Sequence, residues 1–162
     1  MILQKPLSRG TITIDPANPM DGGPLVDFQT MVNPVDIEVM VEMIRFSRKW
    51  AATKAMSELS PLENWPGLDV QSDHDIMDHI RGMAESSIGH ESGTCAMMPR
   101  EKGGVVDPDL LVYGVPGLSV ADASIMPLVP STNLCATVYA VAEKVNGVFL
   151  LLRLRMLTEI PS

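Results

Sequence analysis

Gly89-His90-Glu91-Ser92-Gly93-Thr94-Cys95 opens the stretch whose reading decides the rest of the chain. Asp122-Ala123-Ser124-Ile125-Met126-Pro127, followed by Pro130-Ser131-Thr132-Asn133, closes it. Between them lie short apolar runs at residues 104–107, 110–113 and 118–122, punctuated by Gly103-Gly104 and Pro116-Gly117. Runs of that length between such punctuation read as strands and turns. The stretch would bring a His and an Asn, distant in sequence, together beside a ligand.

Working outward from it, a helix is expected from about Thr132, with Leu134, Val138, Val141, Val145, Val148 and Leu152 on one face. Glu143, Lys144 and Asn146 break its apolar character, so it reads as a globular helix and not a membrane span. The tail, residues 153–162, has no evident role. On the amino-terminal side, Ser72 with Asp75 resembles a capping box. Ile76, Ile80 and Met83 mark the buried face of the helix that follows. Asn33-Pro34 is a second helix start, a cap followed by a proline suited to the first turn. Asp36 and Glu38 complement the dipole there, and Ile37, Met40, Val41 and Ile44 form its core stripe. This helix is expected to run to about Met56, with a solvated charged face outward. Residues 8–15 alternate Thr and Ile, the period of a half-buried strand with Ile12 and Ile14 inward. A Pro- and Gly-rich loop and a second short strand within residues 25–31 follow.

Composition excludes several functions. A 162-residue chain that is 46% hydrophobic supports one ordinary core. Aromatics at 4% against 12 Met mean that aliphatic and thioether groups fill it. A formal charge of −8 argues against a nucleic-acid partner, which calls for a basic face. No metal site is expected: Cys95 and Cys135 fit no zinc spacing, and His74 and His79 point to different sides of a helix. The two cysteines read as buried thiols, with a single disulfide as the alternative. Residues 1–6 lack the apolar segment of a signal peptide.

For chemistry, His90 stands out because it sits in a glycine-flanked loop rather than on an apolar stripe. An imidazole there suits a general base, or it is simply a structural loop residue. Asn133 has two readings as well, an N-cap or a hydrogen-bond donor to a substrate oxygen. The passage over residues 118–133 would aim backbone amides and a positive dipole end at an anion. No G-x-G-x-x-G, P-loop or G-x-S-x-G is present, and His90-Glu91 fails as H-E-x-x-H because Thr94 holds the fifth position.

These blocks together resemble the carboxy-terminal signature of the glucose-methanol-choline (GMC) flavoprotein oxidoreductases. The resemblance rests on the segment from Gly89 through Met98, on Gly104-Val105-Val106-Asp107, on Val112-Tyr113-Gly114-Val115, and on Gly117 through Ser124 with Pro127 and Asn133. Met97-Met98-Pro99 and Gly103 to Asp107 are most similar to the fungal glucose oxidase and aryl-alcohol oxidase branch, and Pro6-Leu7-Ser8-Arg9-Gly10 resembles a family strand. The resemblance implies an α+β fold: part of the substrate-binding sheet domain with packing helices, plus the terminal strand and helix of the FAD-binding domain. Residues 1–100 would be the substrate-domain part ending in the His loop, 101–152 the segment returning to the FAD-binding domain, and 153–162 a tail. His90 falls at the catalytic base and Asn133 at the second catalytic position. Asp122 and Ala123, then Leu134 and Cys135, fall where the family contacts FAD. An Asn cannot take a second proton, so His90 would act alone as base.

The implied substrate is an alcohol, oxidised at its CH–OH group. Family members are several times longer and hold the FAD pyrophosphate on a G-x-G-x-x-G unit that these residues lack. The resemblance therefore implies a missing amino-terminal FAD-binding half as partner. The alternatives are a non-catalytic truncated remnant or interaction module, and a member turned to lyase or cyclase work. The isolated chain is expected to be aggregation-prone, since its terminal elements lack strands to pair with.

Overall fold

A computed structural model describes the backbone of residues 1–158 and the side-chain surroundings of residues 1–147. Two compact units divide the chain, Met1–Ser86 and Ser87–Ser162, each with its own core. The His90 loop therefore belongs to the second unit.

In the first unit, β1 (Thr11–Thr13) and β2 (Leu25–Asp27) pair antiparallel, with Ile12 opposite Val26. Both strands are exposed throughout, and Ile12 and Ile14 face solvent rather than a core. The alternation was real, but a two-stranded hairpin encloses nothing by itself. Helix α1 (Pro34–Ala51) starts where its residues predict: Asn33 Oδ1 accepts from the Val35 amide at 3.0 Å, with Pro34 in the first turn. Ile37, Met40, Val41 and Ile44 pack against Ile76 and Ile80 of α3 (Asp73–Met83). Each such side chain contributes about 1.5–3 kcal/mol when fully buried. Ser72 caps α3: its Oγ accepts from the Asp75 amide at 3.1 Å, while its hydroxyl donates to Asp75 Oδ2 at 2.6 Å. Met83 is exposed, because it is the last residue of α3 and lies past the packed stripe.

α1 ends at Ala51 rather than near Met56. Thr53 adopts an extended conformation there, its hydroxyl donating to the Trp50 carbonyl at 2.8 Å, and a separate short helix α2 (Lys54–Ser57) follows. Arg48 secures the connection beyond. Its guanidinium binds both Glu63 oxygens (2.8–3.2 Å) and donates to the Gly67 and Val70 carbonyls (3.0 and 2.9 Å). His79 is half-buried with its ring tilted on Trp65, and His74 is exposed beside Asp78.

Asp36 does more than complement a dipole. Buried in the first turn of α1, it accepts from the Leu7 amide (2.7 Å), the Ser8 amide (2.8 Å) and the Ser8 hydroxyl (2.5 Å). The Asn33 amide donates to the same Ser8 Oγ at 3.0 Å, so the segment before β1 is latched to α1. Burial works to raise the Asp36 carboxyl, but the Ser8 hydroxyl, the two amides and the nearby Arg9 charge hold it below the usual carboxylate range. A depressed folded-state value makes the latch fully stabilising above the unfolded carboxylate range near pH ~4. That contribution is lost as pH falls through the folded value. Urea midpoints should therefore decline with acid below about pH 4, and Asp36→Asn should flatten that decline. At neutral pH Asp36→Ala should cost about 1–3 kcal/mol by stranding the Leu7 and Ser8 amides. An unchanged acid limb in the Asn variant would assign the decline to other carboxyls.

The second unit is loop-rich and closed by α4 (Cys135–Thr158). Val106, Leu110, Ile125 and Val145 form its buried centre, with Met97, Val112, Val120 and Val141 packed around them. Leu134 is buried and Val138 and Val141 half-buried, as the expected stripe requires, while the side chains of Val148 and Leu152 and all of residues 159–162 lie outside the described residues. The short runs form isolated bridges, Met97 with Val106, Val106 with Val112, and Leu111 with Ser119, instead of long strands. Asp107 is the reason the chain turns so early: Oδ1 accepts from the Asp109 and Leu111 amides at 2.9 and 3.0 Å. A short sheet with packed helices makes the fold α+β. Among the described residues, no helix is long and apolar enough to cross a membrane.

Candidate functional site

The His90 loop is built on two left-handed glycines. Gly89 (φ 78°) turns the chain just before His90, with its amide donating to Ser87 Oγ at 3.0 Å. Gly93 (φ 85°) turns it just after, and a Cβ there would press on the Met126 carbonyl at 3.0 Å. Beyond Gly93 the backbone is stapled to a 3-10 turn, Ala123–Ile125. The amides of Gly93, Cys95 and Met97 donate to the carbonyls of Ala123, Ser124 and Ile125 at 3.3, 2.9 and 2.8 Å. Asp122 starts this turn by accepting the Ser124 amide on Oδ1 at 2.8 Å. Alternate amides on one segment thus meet consecutive carbonyls on the other. His90, half-buried, is held at the end of the staple nearest Asp122 and Ala123.

The second group lies at the amino end of α4. Leu134 is buried and its carbonyl accepts the Val138 amide at 2.8 Å, so Leu134 holds the cap position that was one of the two readings for Asn133. Asn133, one residue earlier, is exposed, as is Cys135 in the first turn. No acidic residue occupies that turn, and the leading amides of a helix lack intrahelical acceptors, which suits its amino end to an anionic oxygen. Among the described residues, no hydrogen bond joins His90 to Asn133. Cys95 and Cys135 are both free, Cys95 half-buried and Cys135 exposed rather than buried. No group of three His, Cys, Asp or Glu side chains gathers around a metal-sized space among the described residues.

Glu91 is the ionisable group of the loop with a shifted carboxyl. The Ser87 hydroxyl, its own backbone amide and, more weakly, the His90 charge hold it below the usual carboxylate range. The backbone acceptors at Ser124 and Ile125 escaped the sequence reading, since carbonyl geometry leaves no mark on residue identity. Gly93 was the one signal available, a glycine where a left-handed φ and a close approach to the Met126 carbonyl disfavour a side chain.

A family model described as GMC oxidoreductase matches residues 6–142. The chain is 37% identical over 140 residues to a dehydrogenase of Emericella nidulans, xptC, covering 86% of this chain and 22% of that protein. Among solved structures it is similar to a fungal aryl-alcohol oxidase (TM-score 0.85, 38% identity, 94% of this chain, 25% of that one). It is also similar to an FAD-dependent oxidoreductase from Chaetomium thermophilum (TM-score 0.83, 39% identity, 90% of this chain, 25% of that one). The chain therefore spans about a quarter of the length of the proteins it matches. With the match running across both units and through the His90 and Asn133 segments, the chain belongs to the GMC oxidoreductase family, in its carboxy-terminal part and on its fungal branch.

Proposed function

We propose that these residues form the catalytic carboxy-terminal part of an FAD-dependent oxidoreductase that converts an alcohol CH–OH to a carbonyl. The observation that carries the reading is the backbone staple, which holds the His90 loop against Asp122 and Ala123 within a chain of GMC ancestry. His90 accepts the proton from the substrate hydroxyl at a ring nitrogen. Asn133 donates a side-chain amide hydrogen to the substrate oxygen and steadies the charge that grows there as the proton leaves. FAD, when bound, supplies the hydride acceptor for the substrate carbon, so one proton and one hydride leave the alcohol and the carbonyl product remains.

The residues present fit the redox end of that cofactor. The amino end of α4, with Asn133 and Cys135 exposed there and Leu134 buried, would suit the electron-rich edge of a reduced ring. Asp122 and Ala123 would hold it through backbone contacts. They do not supply a pyrophosphate cradle, since no G-x-G-x-x-G occurs here. The amino-terminal FAD-binding half must bring that grip. The functional division we assign is residues 1–100 facing substrate, 101–152 facing the flavin and 153–162 a tail, a division by role rather than by compactness.

The chain purified by itself should accordingly be colourless. A yellow preparation with near-stoichiometric flavin absorbance would overturn the need for a second half. Once that half is supplied, alcohol-dependent bleaching of the flavin band tests the reading itself.

A further inference from the structure

The staple fixes the His90 loop only from Gly93 onward, where the amides begin to meet the turn at Ala123–Ile125. His90 and its two sequence neighbours, Gly89 and Glu91, lie before that point. Ser87, the first residue of the second unit, reaches both neighbours with a single hydroxyl. Its Oγ accepts from the Gly89 amide at 3.0 Å, and the same hydroxyl donates to the Glu91 carboxylate. A serine hydroxyl has one hydrogen to give and lone pairs to receive, so the two contacts are compatible. The backbone on one side of His90 is thereby tied to the side chain on the other, and His90 lies inside the loop they close.

Packing does not do this work at Gly89. Gly93 is crowded by the Met126 carbonyl, whereas a Cβ on Gly89 would meet nothing within 4 Å. Gly89 holds φ 78° in open space, and a glycine reaches many other conformations as readily. The hydrogen bond to Ser87 is what selects this one. The Glu91 contact is charge-assisted, and such bonds are about twice as strong as neutral ones. Position matters because a base works only within about 2.6–3.2 Å of the proton it takes. A displacement of ~1 Å costs on the order of 10²-fold in rate. Ser87 stands outside the apolar centre of its unit, so it can be changed without opening that centre.

We propose that Ser87 is a positioning residue for His90, holding the imidazole in place through Gly89 and Glu91. The proposal rests on the functional reading above, in which His90 is the base, and its test separates the two. In the assembled enzyme, Ser87→Ala should slow flavin reduction at saturating alcohol by about 10- to 100-fold. The half-saturating alcohol concentration and the melting curve should stay as they were. Ser87→Thr, which keeps a hydroxyl, should restore most of the rate. Glu91→Ala added to Ser87→Ala should cost little more than either change alone, since both cut the same tie. Hydrogen exchange over residues 87–91, read by mass spectrometry, should quicken in Ser87→Ala and return to normal in Ser87→Thr. Unaltered exchange would overturn the tie. Faster exchange at full rate would overturn the positioning role, as would a loss that threonine fails to rescue or that appears undiminished on a His90→Ala background. Full-rate reduction by His90→Ala alone would sink the catalytic reading instead. A slow His90→Ala beside a full-rate Ser87→Ala would remove only the role of Ser87.

Discussion

Replacing His90→Ala in the assembled enzyme is expected to slow alcohol-dependent flavin reduction by about 10²- to 10⁴-fold, the range a positioned general base supplies. The size follows from the shortage of substitutes. His79 is packed on Trp65 and His74 is exposed beside Asp78, and Asn133 has no lone pair basic enough to take the proton. The loss should fall on the rate at saturating alcohol rather than on flavin content, because His90 lies in a loop and not in the core of its unit. Anaerobic stopped-flow absorbance at the flavin band reads both quantities in one experiment. Reduction within a few-fold of the unaltered protein would sink the assignment of the base and turn attention to lyase-type chemistry. Asn133→Ala should act more mildly, since it removes one hydrogen bond to the developing alkoxide and leaves the proton acceptor in place.

The second large effect is structural. Gly104→Ala should destabilise the second unit by about 3 kcal/mol, the upper end of what overpacking costs. A Cβ on Gly104 would overlap the carbonyl, the carbonyl carbon and the Cα of Met98, all of them backbone and unable to swing aside. That backbone is itself pinned: the Gly104 amide donates to the Pro99 carbonyl at 3.1 Å, and the Tyr113 hydroxyl donates to the Met98 carbonyl at 3.2 Å. Gly117→Ala is the matched control, with a left-handed φ of 78° and open space around it. It should cost only about 1–2 kcal/mol, the backbone penalty alone. Urea unfolding of the two variants separates collision from conformational preference, and equal costs would show that the turn at Gly103-Gly104 yields to the extra methyl.

Much of this was legible before any coordinates. Asn33-Pro34 and Ser72 with Asp75 announced two helix starts because a cap is a local event, decided by a side chain and amides a few residues away. The α1 core stripe was readable for the same reason. What failed was longer in range. Alternating Thr and Ile at residues 11–14 gives the period of a strand but not what lies over it, and here nothing in the first unit does. The outward face of α1 was read as solvated because Glu38, Arg45 and Lys49 are interleaved there with the exposed Val35, Val39, Phe46 and Trp50 series. The family was legible through its ordered blocks, whereas the staple that ties the His90 loop to the next turn runs through carbonyls of Ala123, Ser124 and Ile125 that any residue would offer.

The division of the chain between Ser86 and Ser87 bears on how such a protein can be lost or kept. Because each unit closes over its own apolar centre, one Ile37–Ile80 and the other Val106–Val145, unfolding need not be a single cooperative event. Heating or denaturant would then trace two transitions, and no single midpoint would describe the molecule. Both proposed catalytic residues and all four proposed flavin neighbours fall on the carboxy-terminal side of that line. Damage to the latch at Asp36 or the clasp at Arg48 would thus erode the first unit and leave the reactive groups of the second in place.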